Sequence, residues 1–168
     1  MTLPAALSRR AAALLVAALS VSALSAPLPA LAEDAVLTVT GAVEGGSRSF
    51  TLSELEALGE EEYRTATVWT EGEHSFTGVP LGAILEAVGA EGETLHMVAI
   101  NDYAVTVPIE DAAPGAALIA YRLDGKTMSV REKGPLWLVY PYDADSKWRA
   151  EAVYARSIWQ LSRIEVKR

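Results

Sequence analysis

Arg131 and Lys133 flank Glu132 directly ahead of Gly134-Pro135, and this charged turn runs into the apolar stretch Leu136-Trp137-Leu138-Val139-Tyr140. Two cations at the mouth of a buried strand suit an anion such as a phosphate, because their N–H groups make short, charge-assisted hydrogen bonds to its oxygens. Gly134 permits backbone angles that other residues resist, and Pro135 fixes the start of the strand. Arg122 and Lys126 gather just before the turn, and Lys147, Arg149, Arg156 and Arg163 follow it. Asp124, Glu132 and Glu151 offer these cations ordinary ion pairs, so charge balance and an anion pocket are both open readings.

Other chemistries find less support. His74 and His96, the only histidines, lie in separate segments with no second ligand at zinc-site spacing. Asp143, Asp145 and Ser146 begin like a calcium loop but lack its glycine and its distal bidentate glutamate. There is no Gly-x-Ser-x-Gly elbow and no glycine-rich phosphate loop. The chain has no cysteine, which removes thiolate nucleophiles, redox pairs and cysteine-bound metals. Of the four tryptophans, Trp137 and Trp159 lie in apolar stretches and are expected in the core. Trp69 closes a strand beside a glycine turn and is placed to line a pocket mouth, whereas Trp148, between Lys147 and Arg149, is expected to be the most exposed.

Short elements must position these residues. β-branched residues predict a strand over 36–40, turned back by Glu44-Gly45-Gly46-Ser47. Thr51-Leu52-Ser53-Glu54 has the form of a capping box opening a helix with Leu52, Leu55 and Leu58 on one face, ended by Gly59. A strand is predicted over 63–70, then a loop through Phe76-Thr77-Gly78-Val79-Pro80, then a helix with Leu81, Ile84, Leu85 and Val88 spaced for one face and stopped by Gly89. Strands at 94–100 and 103–108 meet at Asn101-Asp102, a strand over 116–123 turns at Asp124-Gly125, and an alternating strand over 157–166 closes the chain. Many strands with two or three short helices read as a compact α+β domain.

Residues 1–32 read as an export signal. Arg9 and Arg10 precede an apolar stretch too short to span a bilayer comfortably, and Ala30-Leu31-Ala32 offers a small-residue cleavage site, leaving one domain over 33–168 in a periplasmic or secreted setting with no stable membrane span. Removing two arginines and no acids takes the formal charge from −8 to about −10, which argues against nucleic acid as a partner.

The ordered set Phe76-Thr77-Gly78-Val79-Pro80-Leu81, Ala99-Ile100-Asn101-Asp102-Tyr103-Ala104-Val105, Ile119-Ala120-Tyr121-Arg122-Leu123-Asp124-Gly125-Lys126, Lys133-Gly134-Pro135-Leu136 and Trp159-Gln160-Leu161-Ser162-Arg163-Ile164 resembles the oxidoreductase molybdopterin-binding domain, the fold of sulfite oxidase and related exported enzymes. Within that family the chain is similar to small stand-alone exported proteins. The resemblance implies a compact, mixed-sheet, barrel-like α+β domain with short helices. In the family's catalytic members a cysteine thiolate holds molybdenum and the pterin phosphate lies among arginines, lysines and backbone amides. That cysteine would fall near 67–70, where this chain has Thr67-Val68-Trp69-Thr70 and no soft ligand. Leu136 and Trp137 stand where arginine often follows the Gly-x-Pro turn.

The cofactor-binding set expected on this basis is Arg131, Lys133 and the Gly134 backbone, with Asn101, Asp102, Tyr103 and Trp69 on the rim. Two functions follow from the resemblance. In one, the protein binds molybdopterin or a similar small anionic ligand, and the cofactor carries the reaction. In the other it is a non-catalytic module that recognises a ligand or a protein partner on the same scaffold.

Overall fold

The structure, a computed structural model, describes residues 33–168; the signal segment expected at 1–32 lies outside the described residues. In chain order the elements are β1 (Leu37–Gly41), β2 (Ser47–Phe50), α1 (Leu52–Ala57), β3 (Glu61–Ala66), β4 (Glu73–Pro80) and α2 (Leu81–Ala87). They continue with β5 (Thr94–Ala99), β6 (Ala104–Pro108), β7 (Leu118–Leu123), β8 (Lys126–Thr127), β9 (Trp137–Val139), α3 (Glu151–Arg156) and β10 (Leu161–Lys167). One sheet has the order β2-β1-β10-β5-β6, with β10 parallel to β1 and antiparallel to β5. The other runs β3-β4-β7-β8, with β9 also paired to β7. The α+β class holds, and the two sheets stay separate rather than closing into a barrel.

Local chemistry accounts for most boundaries. The Thr51 hydroxyl accepts the Glu54 N–H at 3.2 Å while the Glu54 carboxylate accepts the Thr51 N–H at 2.8 Å, so the capping box is complete. Asp124 (φ 49°) and Gly125 (φ 74°) make the two-residue turn of the β7–β8 hairpin. Between β5 and β6, Asp102 N–H donates to Ala99 O at 3.1 Å and Asp102 takes φ 64°, a tight turn closed by a left-handed residue.

The main core lies between the inner faces of the two sheets. Along β5, Leu95, Met97 and Ala99 are buried while Thr94, His96 and Val98 are half-buried, the period-two signature of a strand with one face inward. On β7, Ile119 and Tyr121 enter this core, and Leu118 and Ala120 enter a smaller one with Phe76, Met128, Trp137 and Val139. Both faces of β7 are therefore covered.

Two expected elements change and one unexpected helix forms. The strand predicted to reach Thr70 ends at Ala66, because the Asp143 carboxylate accepts the Ala66 N–H at 2.6 Å and the Thr65 hydroxyl at 3.1 Å. Beyond it, the Thr67 hydroxyl takes the Trp69 N–H at 3.1 Å, a side-chain turn in place of a ladder. The loop expected at 76–80 is instead the buried end of β4. Gly78 allows this, since a Cβ there would lie 2.2 Å from Ile119 O, and the glycine sits at a register shift against β7. The unpredicted α3 is under two turns long, too short for a periodic pattern to show.

The 128–136 turn also works differently from its expected role. The left-handed residue is Lys133 (φ 73°), not Gly134. Gly134 is needed for space, because a Cβ there would lie 1.9 Å from Met128 O. Gly134→Ala should therefore destabilise the domain by roughly 2–4 kcal/mol, measured by chemical denaturation; an unchanged stability would show that the loop can shift.

His74 ties β4 to the β7–β8 turn. Its Nδ1 lies 2.7 Å from Asp124 Oδ2 and its Nε2 lies 2.9 Å from Glu71 O. Both partners only accept, so both ring nitrogens can donate only in the imidazolium form. The Asp124 bond raises the His74 pKa above its ordinary value, and the Ser75 N–H holds the Asp124 carboxyl below its own. A raised folded-state pKa contributes stability that is complete below the unfolded value of about 6.5 and is lost as pH rises through the folded value. The stability difference between the wild type and His74→Gln should be constant below about pH 6.5 and shrink as pH rises above it, read from denaturation midpoints. A difference that stayed constant above that pH as well would remove the charged clasp.

Candidate functional site

A cavity of about 580 Å³ opens between the 67–70 turn, the β5–β6 hairpin and the segment that runs from α3 into β10. Val68 and Trp69 line it from the turn, Asn101 and Tyr103 from the hairpin, Glu151 and Tyr154 from α3, and Ile158 and Trp159 from the approach to β10. Among the described residues that line it Glu151 is the one with a charge, placed in the first turn of α3, where backbone N–H groups favour a carboxylate.

Trp69 is the hub of the aromatic wall. Its ring meets those of Trp137, Tyr154 and Trp159 edge-to-face at centroid distances of 5.9, 5.8 and 5.8 Å. Behind it Tyr142 stacks on Tyr154 at 5.2 Å. The Tyr142 hydroxyl donates to Ser157 Oγ at 2.7 Å, Ser157 Oγ donates to Val153 O at 2.9 Å, and Trp137 Nε1 donates to Ser157 O at 3.2 Å. Burial pushes the Tyr142 phenol pKa up, so this chain of donors stays protonated. The wall is thus anchored by satisfied polar groups on its inner side and leaves ring surface toward the cavity. On the opposite rim the Asn101 side chain accepts the Tyr103 N–H at 3.2 Å, and the Tyr103 side chain is largely exposed.

The expected set divides. Trp69, Asn101 and Tyr103 line the cavity. Asp102 does not; it pairs with Arg163 at 2.8 Å. Lys133 is not among the lining residues either; its Nζ lies 5.6 Å from the ring centroids of Trp137 and of the lining Trp159. Arg131 is exposed and is not among the lining residues. The Gly134 amide donates to Ser129 O at 2.8 Å, and the Glu132 amide donates to the same oxygen at 2.9 Å. The loop expected to cradle an anion thus spends these amides on its own backbone. Other cations are also engaged: Arg122 pairs with Glu56 and Glu60, Arg149 with Asp143, and Arg156 with Asp111 at 3.0 Å.

Sequence reasoning did not identify Val68, Glu151, Tyr154 or Trp159 as site residues. Trp159, expected in the core, is exposed, while Trp148, expected outside, stacks half-buried on Tyr140 at 5.5 Å. Gln160 takes a left-handed backbone (φ 54°) and a register shift lies between Leu161 and Arg163, so one alternating strand over 157–166 does not form and gives no guide to Trp159.

The donor set decides whether an oxo-molybdenum centre fits. At 67–70 the Thr67 and Thr70 hydroxyls bond to each other at 2.8 Å, and the residues between them present apolar surface to the cavity. No group of three or more histidine, cysteine or acidic residues gathers at metal-binding distance among the described residues. Paired neutral hydroxyls do not replace a soft thiolate at such a centre, so these residues do not fit it.

The sequence model of the oxidoreductase molybdopterin binding domain matches residues 25–149. No curated protein matches the chain at a significant level. The matched span includes the 67–70 turn, the β5–β6 hairpin and the 131–134 loop, while Glu151, Tyr154 and Trp159 lie beyond it. With well over half of its length matched and two open sheets of the kind described above, the chain belongs to the oxidoreductase molybdopterin-binding domain family.

Proposed function

We propose that this protein is an exported, non-redox member of its family that binds a small ligand in the aromatic cavity. One observation carries this reading. The position where the family resemblance puts the molybdenum thiolate coincides with the cavity wall, and there Val68 and Trp69 offer apolar surface instead of a metal ligand. The cavity volume falls in the range of small-molecule sites, and its lining of rings with a few polar groups matches their usual make-up. In this reading Trp69, Tyr103, Tyr154 and Trp159 provide stacking surface, Asn101 a side-chain amide and Glu151 an acceptor. The signal-like residues 1–32 support export to a periplasmic or secreted setting.

A protein partner is the second reading, favoured by a specific pattern. Val68, Ile100, Tyr103, Val130 and Trp159 are the exposed large hydrophobic side chains among the described residues. Val68, Tyr103 and Trp159 line the cavity, while Ile100 and Val130 each make a hydrogen bond through their backbone to Gln160. Exposed apolar residues gathered on one face mark a recognition surface more often than chance scatter does.

Metal and pterin analysis of protein purified after export should find neither in stoichiometric amount; stoichiometric molybdenum would overturn the non-redox reading. The two cavity tryptophans should also differ in their structural cost. Trp69→Ala should lower stability by roughly 2–4 kcal/mol, since four rings pack on it. Trp159→Ala should cost less, roughly 1–2 kcal/mol, since the side chain meets Trp69 and Trp137 but is over a third exposed. Equal losses in urea denaturation would make Trp159 a core residue rather than a binding surface.

A further inference from the structure

We infer that the ligand of this cavity is an organic cation with an apolar head, of the methylated ammonium class. The inference rests on reading the cavity as a ligand site and goes on to name the chemistry it selects. Trp69, Tyr103, Tyr154 and Trp159 line it, and among the described lining residues Glu151 alone is charged. Aromatic faces carry a negative quadrupole and attract cations, most strongly where water is excluded. A methylated ammonium gives up less hydration than a bare one on entering such a lining, and a carboxylate at the rim supplies the compensating charge. A phosphate or carboxylate would meet the opposite arrangement, an anion beside Glu151 with the neighbouring loop amides already bonded.

The chain holds one such cation on this surface itself. Lys133, half-buried and outside the lining itself, holds its Nζ 5.6 Å from the ring centroid of the lining Trp159 and the same distance from that of Trp137. The platform therefore attracts an ammonium, and Lys133 opposes a second cation there by its charge. The formal charge of about −10 left after removal of residues 1–32 further draws cations toward the molecule.

These relations give Glu151 and Lys133 effects of opposite sign, which tests the inference directly. Choline and tetramethylammonium would be titrated into the exported protein by calorimetry and tryptophan fluorescence. The neutral carbon isostere of choline, inorganic phosphate and a neutral pteridine would serve as comparisons. Both cations should bind saturably and the neutral isostere should bind at least tenfold more weakly, about 1.4 kcal/mol. Glu151→Gln should weaken cation binding by about tenfold, and Lys133→Met should strengthen it by roughly threefold. Circular dichroism would check that both variants remain folded. Phosphate binding that weakens in Lys133→Met, or equal binding of choline and its neutral isostere, overturns the cation inference. Pteridine binding without cation binding overturns this inference alone, whereas binding of none of the probes overturns the ligand-site reading as well.

Discussion

The four residues at 158–161 join the two sheets, and the positions of the other site elements depend on them. Leu138 N–H donates to Ile158 O at 2.8 Å and Leu161 N–H donates to Leu136 O at 3.0 Å, tying this segment to β9. Gln160 N–H donates to Lys133 O at 3.0 Å, and Gln160 O accepts the Ile100 N–H at 2.9 Å, tying it to the charged loop and to the β5–β6 hairpin. Its side chain also donates to Val130 O at 2.7 Å. Backbone polar groups removed from water must find partners, and a segment that satisfies three neighbours holds them at fixed separations. From there β10 enters the centre of its sheet, between β1 and β5.

The cavity follows from that junction. Trp159 stands directly before the left-handed Gln160, and its bridge to Trp137 keeps it beside the second sheet. Trp69 reaches the same wall from the opposite direction, because Asp143 ends β3 and releases the chain into a side-chain turn. The hairpin rim is held by Ile100. Three segments distant in sequence thus converge on one aromatic surface.

Much of the fold was legible in local chemistry. The Thr51 capping box, the Asp124-Gly125 turn, the strand pair around Asn101-Asp102 and the α2 face of Leu81, Ile84 and Leu85 all formed as their residue types implied. Legibility failed where long-range partners overrode a local signal. Gly78 looked like a loop residue until β7 lay against it, and 67–70 looked like strand until Asp143 took the Ala66 amide. Of the expected rim, Trp69, read from its place beside a turn, and Asn101 and Tyr103, taken from the family resemblance, line the cavity. The anion cradle was not realised as expected, since the amides of Glu132 and Gly134 are turned inward onto Ser129.

Composition and order alone determined the family scaffold, the α+β class and the absence of a thiolate, because periodicity, turn residues and a missing element are properties of the chain itself. Tertiary structure decided what the site offers a ligand. It engaged Arg122, Arg149, Arg156 and Arg163 in ion pairs, laid Lys133 on two tryptophan rings, and brought Glu151, Tyr154 and Trp159 to face Val68 and Trp69. The physical reason is that charge and aromatic surface act over a few ångströms in space, and separation along the chain does not reveal which groups will come that close.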